Sequence, residues 1–282
     1  MIRITLGGVP EHFNLPLELA LEAGWFTEVG LDVQWTYYPG GTGAMTRALG
    51  EGALDMAILL TEGFVAAAAQ GLPAVLVKTW VESPLVWGIY SGAHSATHSI
   101  YDRTPKQYAI SRHGSGSHLM ALIHAAQRGE VPAPEQFTVV NSIECAVASL
   151  TAGQTQVFYW EQLMTQQYVA GKQLKNIGSF QAPWSGFLVA AGTAAWQQKR
   201  TALQQVLAVM NRAAQTFPAQ PHFQQQLQQR FGLAPADTAP WLQHTVWNTG
   251  YDVKTGGLYR AAAELKKLLP DGNYEAVEQW LG

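Results

Sequence analysis

Two turns rich in small residues have the composition of sites that hold small ligands. The first, at residues 40–43, contains three glycines and Thr42 and precedes an apolar stripe of helical spacing. The second, at residues 114–118, combines glycines with serines and also precedes a helical stripe. N–H groups at the start of a helix bind anions, although glycine and serine also serve as ordinary helix caps. We predict ligand contacts from Gly41, Thr42, Gly43, Ser115, Gly116, Ser117 and His118.

Two glutamates each lie just past a short apolar stretch that is typical of a strand. Glu62 follows residues 55–60 and Glu161 follows residues 156–160. An acid pair beside turns rich in N–H groups indicates a zwitterionic or amine-bearing ligand, whereas Glu62 alone also fits a residue that complements a helix dipole. We predict ligand contacts from Thr61, Glu62, Asn141, Trp160 and Glu161, with Trp184 as a further aromatic candidate.

His12 lies in the turn after the first predicted strand, residues 2–6. A histidine there either donates a hydrogen bond to a ligand and titrates near neutral pH, or packs as a structural side chain. We include it among the predicted ligand contacts. The alternative function is a cytoplasmic biosynthetic enzyme on the same scaffold, with acid and base groups in the cleft. Its candidate groups are His12, Glu62, His118 and Glu161.

The sequence contains none of the common catalytic motifs. It has no nucleophile elbow, no HExxH zinc pair and no dinucleotide fingerprint, and Cys145 is its single cysteine. We therefore predict no catalytic residue, no metal site and no cofactor, and a binding protein rather than an enzyme. A regulatory ligand sensor that acts on a partner protein is a third interpretation.

Short apolar strands alternate with amphipathic helices along the first 190 or so residues, which predicts an α/β fold. A break in composition at residues 91–106 separates two such regions. We predict a first lobe from residues 1–90 and 190–282, which includes a helical C-terminal region. The second lobe is residues 91–189, and the hinge lies near residues 87–92 and 185–191.

Composition and charge exclude several classes of partner. The formal net charge is −3 and only 13% of residues are charged, so no basic face for nucleic acid is predicted. No apolar stretch approaches the length of about 20 residues that spans a bilayer, so no membrane insertion is predicted. A predicted strand begins near residue 1 without a charged and apolar leader, which predicts a cytoplasmic protein. A periplasmic or lipid-anchored protein is the alternative if a leader has been removed.

Several segments resemble the substrate-binding proteins of nitrate-, sulfonate- and taurine-type ABC transporters and the related thiamine-pyrimidine synthases. The resemblance covers roughly residues 1–190 and is strongest in the first 90. Phe158-Tyr159-Trp160-Glu161 is similar to a segment of intracellular or fungal relatives. The segments that carry the main resemblance are Gly8-Val9-Pro10-Glu11-His12-Phe13-Asn14-Leu15-Pro16, Glu22-Ala23-Gly24-Trp25-Phe26, Gly30-Leu31-Asp32-Val33, Gly40-Gly41-Thr42-Gly43 and Ala53-Leu54-Asp55-Met56-Ala57.

The resemblance implies a two-lobed type II periplasmic-binding-protein-like fold, with a ligand cleft between the lobes and hinge closure around the ligand. It also implies a small ligand, often an anion or a pyrimidine-like molecule, and membrane subunits of an ABC transporter as partners. The sequence departs from the family at two points. The cysteine-rich motif of the pyrimidine synthases is absent, which argues against that activity, and neither the signal nor the lipid-attachment cysteine of the transporter relatives is visible.

Overall fold

The computed structural model describes residues 1–102 and 106–282 and contains two compact units. The first unit comprises Met1–Ser83 and Pro183–Gly282, and the second comprises Pro84–Ala182. Both units are built from strands and helices, in agreement with the predicted α/β class. The break in composition predicted at residues 91–106 includes residues 103–105, which lie outside the described residues.

The described strands alternate with helices through most of the chain. In chain order the strands are β1 (Ile2–Gly8), β2 (Leu31–Tyr37), β3 (Met56–Leu60), β4 (Ala74–Val81), β5 (Val86–Gly92), β6 (Tyr108–Ile110), β7 (Phe137–Val139), β8 (Val157–Glu161), β9 (Leu174–Gln181) and β10 (Phe187–Gly192). The helices are α1 (Leu15–Glu22), α2 (Trp25–Glu28), α3 (Gly41–Gly50), α4 (Thr61–Ala69), α5 (Gly116–Gln127), α6 (Ile143–Thr151), α7 (Gln162–Ala170), α8 (Thr193–Gln198), α9 (Arg200–Thr216), α10 (Phe223–Phe231), α11 (Pro235–His244) and α12 (Thr255–Leu268).

The sheet of the first unit has the strand order β2-β1-β3-β10-β4 within the described residues. Strand β1 is parallel to β2 and β3, whereas β10 is antiparallel to β3 and β4. The carboxyl ends of β1, β2, β3 and β4 therefore share one edge with the start of β10, where Phe187 pairs with Leu60. We call the loops at this edge the first rim: residues 9–14, 38–43, 61–63, 82–83 and 183–186.

The sheet of the second unit has the order β7-β6-β8-β5-β9 in the described part of the chain. Strand β6 is parallel to β7 and β8, and β5 is antiparallel to β8 and β9. Its core includes Tyr90 and Phe158 of the sheet together with Leu150 of α6. We call the loops at the carboxyl ends of β6, β7 and β8 the second rim: residues 111–118, 140–142 and 161–162.

The unit boundaries lie earlier in the chain than the predicted lobe boundaries. Strand β5 pairs with β8 and β9, so residues 86–90 belong to the second unit although they were predicted in the first. Strand β10 pairs with β3 and β4, so residues 187–189 belong to the first unit. The difference arises because apolar strand composition does not specify which sheet supplies the hydrogen-bonding neighbour. The hinge itself stays a prediction.

The C-terminal region covers the outer edge of β4, which is the last strand of the sheet. Val81 forms an antiparallel bridge with Trp247, the Asn248 N–H donates to the Trp80 carbonyl at 2.9 Å, and the Gly282 N–H donates to the Leu76 carbonyl at 2.8 Å. These bonds satisfy backbone groups that an edge strand leaves unpaired. The helical region predicted after residue 194 lies in the first unit, and its first helix divides into α8 and α9 at Lys199, which has non-helical dihedral angles.

Candidate functional site

Hydroxyl groups join the loops of the first rim to one another. Thr42 lies in the first turn of α3, and its Oγ1 accepts a hydrogen bond from the Leu60 N–H at 3.1 Å. Thr61 begins α4, and its Oγ1 donates to the Ser185 carbonyl at 2.5 Å. Gly63 lies so close to Thr42 that an added Cβ would sit 2.5 Å from the threonine methyl group. The structure therefore brings together the predicted residues Gly41, Thr42, Gly43 and Thr61. Both threonine hydroxyls form hydrogen bonds to the backbone of neighbouring segments.

Glu62 is a buried carboxyl group at the start of α4. Its side chain is only 2% exposed, and Oε2 accepts a hydrogen bond from the Trp184 indole N–H at 2.9 Å. The second oxygen, Oε1, is buried, and no donor among the described residues reaches it. Burial raises the pKa of Glu62 from 4.5 to about 7, because a buried carboxylate loses its hydration. Glu62 therefore changes charge near neutral pH.

The raised pKa of Glu62 makes folding stability depend on pH. The folded state binds this proton more tightly than the unfolded state, so the stabilisation is complete below pH 4.5 and is lost as the pH rises through 7. We expect Glu62→Gln to gain stability relative to the wild type between pH 5 and pH 8, by on the order of 3 kcal/mol. Urea unfolding of both proteins across this range measures the difference, and parallel pH curves would contradict the expectation.

His12 is fully buried among aromatic rings. Its ring centroid lies 4.3 Å from that of Phe13 and 4.5 Å from that of Trp241, which α11 contributes. Burial lowers the pKa of His12 to about 3, so the imidazole stays neutral at physiological pH. This environment differs from the near-neutral titration predicted from sequence, because the helices after residue 220 bring aromatic side chains onto the loop.

The carbonyl group of Phe13 fixes the position of the loop that carries His12. It accepts hydrogen bonds from two indole N–H groups, that of Trp80 at 3.2 Å and that of Trp247 at 2.9 Å. The ring centroid of Phe13 lies 5.0 Å from that of Phe187, the first residue of β10. Phe187 follows the 183–186 loop directly, so the aromatic cluster adjoins in sequence the loop that carries Trp184.

The small-residue turn of the second rim is held by its own side chains. Ser115 caps α5 and accepts from the His118 N–H, and the Ser117 hydroxyl lies 2.9 Å from that of Ser115. The Ser117 oxygen also accepts from the Ser111 N–H at 3.0 Å. His118 accepts from the Gly114 N–H through Nδ1 at 3.0 Å, and burial lowers its pKa to about 4. Gly116 begins the helix between these residues.

The other predicted residues of the second rim lie at the ends of β7 and β8. Asn141 is exposed and has a positive φ of 67°, and its N–H donates to the Ser111 carbonyl at 3.2 Å. Glu161 is buried and caps α7 by accepting from the Met164 N–H at 2.9 Å. The Trp160 ring stacks on that of Phe158 with centroids 5.2 Å apart. Glu161 is thus the last residue of β8 and caps α7, whereas Glu62 lies two residues past the end of β3, within the first turn of α4.

Two residues near the first rim were not among the candidates predicted from the sequence. Glu11 is half-buried in the 9–14 loop, and burial raises its pKa to about 7. Trp241 reaches His12 from a helix that is distant in sequence. The position of Glu11 next to His12 in the sequence could have identified it as a candidate. Nothing in the sequence relates Trp241 to the 9–14 loop.

The described residues contain neither a candidate metal site nor a candidate membrane-spanning helix. No group of three or more histidine, cysteine, aspartate or glutamate side chains in this part of the chain has an arrangement that could hold a metal ion. None of the helices in it combines the length and the apolar composition needed to cross a membrane.

Solved structures with a similar fold include proteins that bind small solutes. The Candida albicans CA3427 gene product, described as having the generic periplasmic binding protein fold, has a TM-score of 0.86 at 23% identity and covers 99% of this chain and 91% of its own. The alkanesulfonate-binding protein SsuA from Xanthomonas axonopodis pv. citri, bound to MOPS, has a TM-score of 0.79 at 18% identity, covering 100% and 95%. The periplasmic nitrate-binding protein NrtA from Synechocystis PCC 6803 has a TM-score of 0.69 at 15% identity, covering 99% and 86%.

These similarities establish the periplasmic-binding-protein fold that the resemblance implied. A search of curated protein sequences found no match to the chain. The description "NMT1/THI5 like" belongs to the family that matches residues 11–223, which is well over half of the sequence. The chain is therefore a member of the NMT1/THI5-like family.

Proposed function

We propose that the chain is a solute-binding protein that takes up a small polar organic molecule at the first rim. The observation that carries the proposal is the construction of this rim. Three parallel strands end there, α3 and α4 begin there, and Glu62 presents a buried oxygen without a hydrogen-bond partner among the described residues. Such an edge is where α/β sheets bind ligands.

The family relatives support a role in solute uptake. One similar structure is an alkanesulfonate-binding protein and another is a nitrate-binding protein, and both names describe the binding of a small solute. The comparisons favour this function over the enzymatic alternative. We propose the membrane subunits of an ABC importer as the partner, and an anion, an amine or a pyrimidine as the ligand class to be tested first.

The compartment follows from the same proposal. The nitrate-binding relative is described as periplasmic, which supports the periplasmic alternative over the cytoplasmic localisation predicted from sequence. Cell fractionation with an antibody to the native chain distinguishes the two compartments.

A thermal-shift screen tests the proposed function. A ligand at 100 times its Kd stabilises the folded state by about 2.7 kcal/mol, which raises the unfolding midpoint of a chain of this size by about 5 °C or more. The screen contains amines, amino acids, pyrimidines, sulfonates and nitrate, and native mass spectrometry identifies any molecule that co-purifies. Absence of both a midpoint shift and a co-purified molecule would contradict the proposal.

The second rim is tested separately with Asn141→Gly. Glycine accepts the positive φ of residue 141 and removes only the amide side chain. If Asn141 contacts the ligand, as the sequence predicts, the ligand-induced shift falls in this variant while the midpoint without ligand stays close to that of the wild type.

A further inference from the structure

Glu62 is unusual because only one of its two carboxyl oxygens has a hydrogen-bond donor among the described residues. Oε2 accepts a hydrogen bond from the Trp184 indole N–H at 2.9 Å. Oε1 is buried without a donor among the described residues. A buried ionised oxygen without a partner is costly, and a positively charged donor placed beside it would remove that cost. In its ionised form this oxygen can only accept, and it therefore selects a donor rather than an acceptor.

The loops of the first rim contain acidic residues and no lysine or arginine. Glu11, Glu62 and Glu82 are the charged residues within the segments 9–14, 38–43, 61–63, 82–83 and 183–186. Arg260 of α12 reaches this edge as an exposed guanidinium whose N–H donates to the Pro183 carbonyl at 3.5 Å. An oxyanion next to Glu62 would meet a carboxyl group without a cation from the rim loops, which disfavours binding by charge repulsion.

Aromatic side chains also lie along the first rim. Trp184 binds the carboxyl group directly, and the cluster of Phe187, Phe13 and His12 extends to Trp241 with successive ring centroids 4.3–5.0 Å apart. The faces of aromatic rings attract organic cations, and this attraction strengthens where water is excluded. A buried carboxyl group in a rim that also contains aromatic rings is a combination that recognises a protonated nitrogen on an organic group.

We propose that Glu62 is the specificity-determining residue of the first rim and that it binds a protonated amine or amidine of the ligand through Oε1. This inference rests on the proposed function and narrows its ligand class, because it excludes a simple sulfonate or nitrate as the group held at this rim. Trp184 is the positioning residue, since its N–H orients the carboxyl group from the other oxygen.

Matched cations and anions test the inference by isothermal titration calorimetry. The probes are ethylamine, benzylamine and benzamidine, each paired with an uncharged or anionic analogue: ethanesulfonate, phenylmethanesulfonate and benzamide. At least one of the three cations is expected to bind, and its analogue to bind at least about tenfold more weakly. Failure of all three cations to bind, or equal or tighter binding by the analogues, would overturn the inference.

Three variants assign the effect to Glu62. Glu62→Gln keeps an acceptor for Trp184 and removes the charge, and we expect it to weaken cation binding by at least about tenfold. Glu82→Gln is the matched control, because Glu82 lies on the same rim but pairs with Lys254 at 3.3 Å, and it should leave cation binding unchanged. Loss of binding in Glu11→Gln but not in Glu62→Gln would overturn the assignment.

The inference and the proposed function fail in different ways. If sulfonates or nitrate stabilise the protein in the thermal-shift screen and Glu62→Gln does not alter that effect, the solute-binding function stands and the inference is wrong. If no solute of any class binds and none co-purifies, the proposed function is wrong as well.

Discussion

Replacement of Lys78 by methionine is expected to lower the free energy of unfolding by about 3 kcal/mol. Lys78 is fully buried in β4, and its ammonium group donates to the Asn248 carbonyl at 2.8 Å and to the Gly250 carbonyl. Methionine fills a similar volume but leaves both carbonyl oxygens without this donor. The loop at residues 248–252, which also binds the backbone of β4, would then lose its central contact.

Lys254→Met is the matched control for this prediction. Lys254 follows the same loop, but its ammonium group is exposed and forms ion pairs with Glu82 and Asp252. Exposed ion pairs contribute less than about 1 kcal/mol, so the control should unfold close to the wild type in urea. Equal destabilisation by the two substitutions would show that burial of Lys78 does not organise the loop.

Trp80→Ala is expected to destabilise the first unit by about 3–5 kcal/mol, because it removes a fully buried aromatic side chain and leaves a cavity. It also removes one of the two indole donors that hold the Phe13 carbonyl, so the loop that carries His12 should become more mobile. Urea unfolding gives the loss of stability, and hydrogen exchange at residues 11–14 measures the mobility of the loop.

Phenylalanine substitutions separate the hydrogen bonds from the packing. Trp80→Phe and Trp247→Phe each leave one donor on the Phe13 carbonyl, so each should cost about 1 kcal/mol for the lost hydrogen bond, in addition to the cost of the smaller ring. The double variant removes both donors from a buried carbonyl and should cost more than the sum of the two. A strictly additive double variant would contradict the interpretation that the two indoles share one acceptor.

Local patterns in the sequence were sufficient for most elements of the first unit. Alternation at residues 2–6 predicted β1, the apolar run at 55–60 predicted β3, and the glycine-rich turn predicted the start of α3, all of which are confirmed. These features are local because strand alternation and helix starts depend on neighbouring residues. The predicted helical C-terminal region did not reveal the break at Lys199 between α8 and α9, where the lysine binds Asp55 at 2.8 Å through a contact distant in sequence.

The sequence by itself determined the α/β class, the family resemblance and the two turns that begin α3 and α5. It also placed Glu62 and Glu161 at strand ends, since an acidic residue after an apolar run is a local feature. Only the tertiary structure decided that Glu161 caps its own helix while Glu62 retains a buried oxygen without a donor among the described residues. It also decided that Trp241 packs on His12, because contacts between residues far apart in sequence depend on how the elements pack and not on any local period.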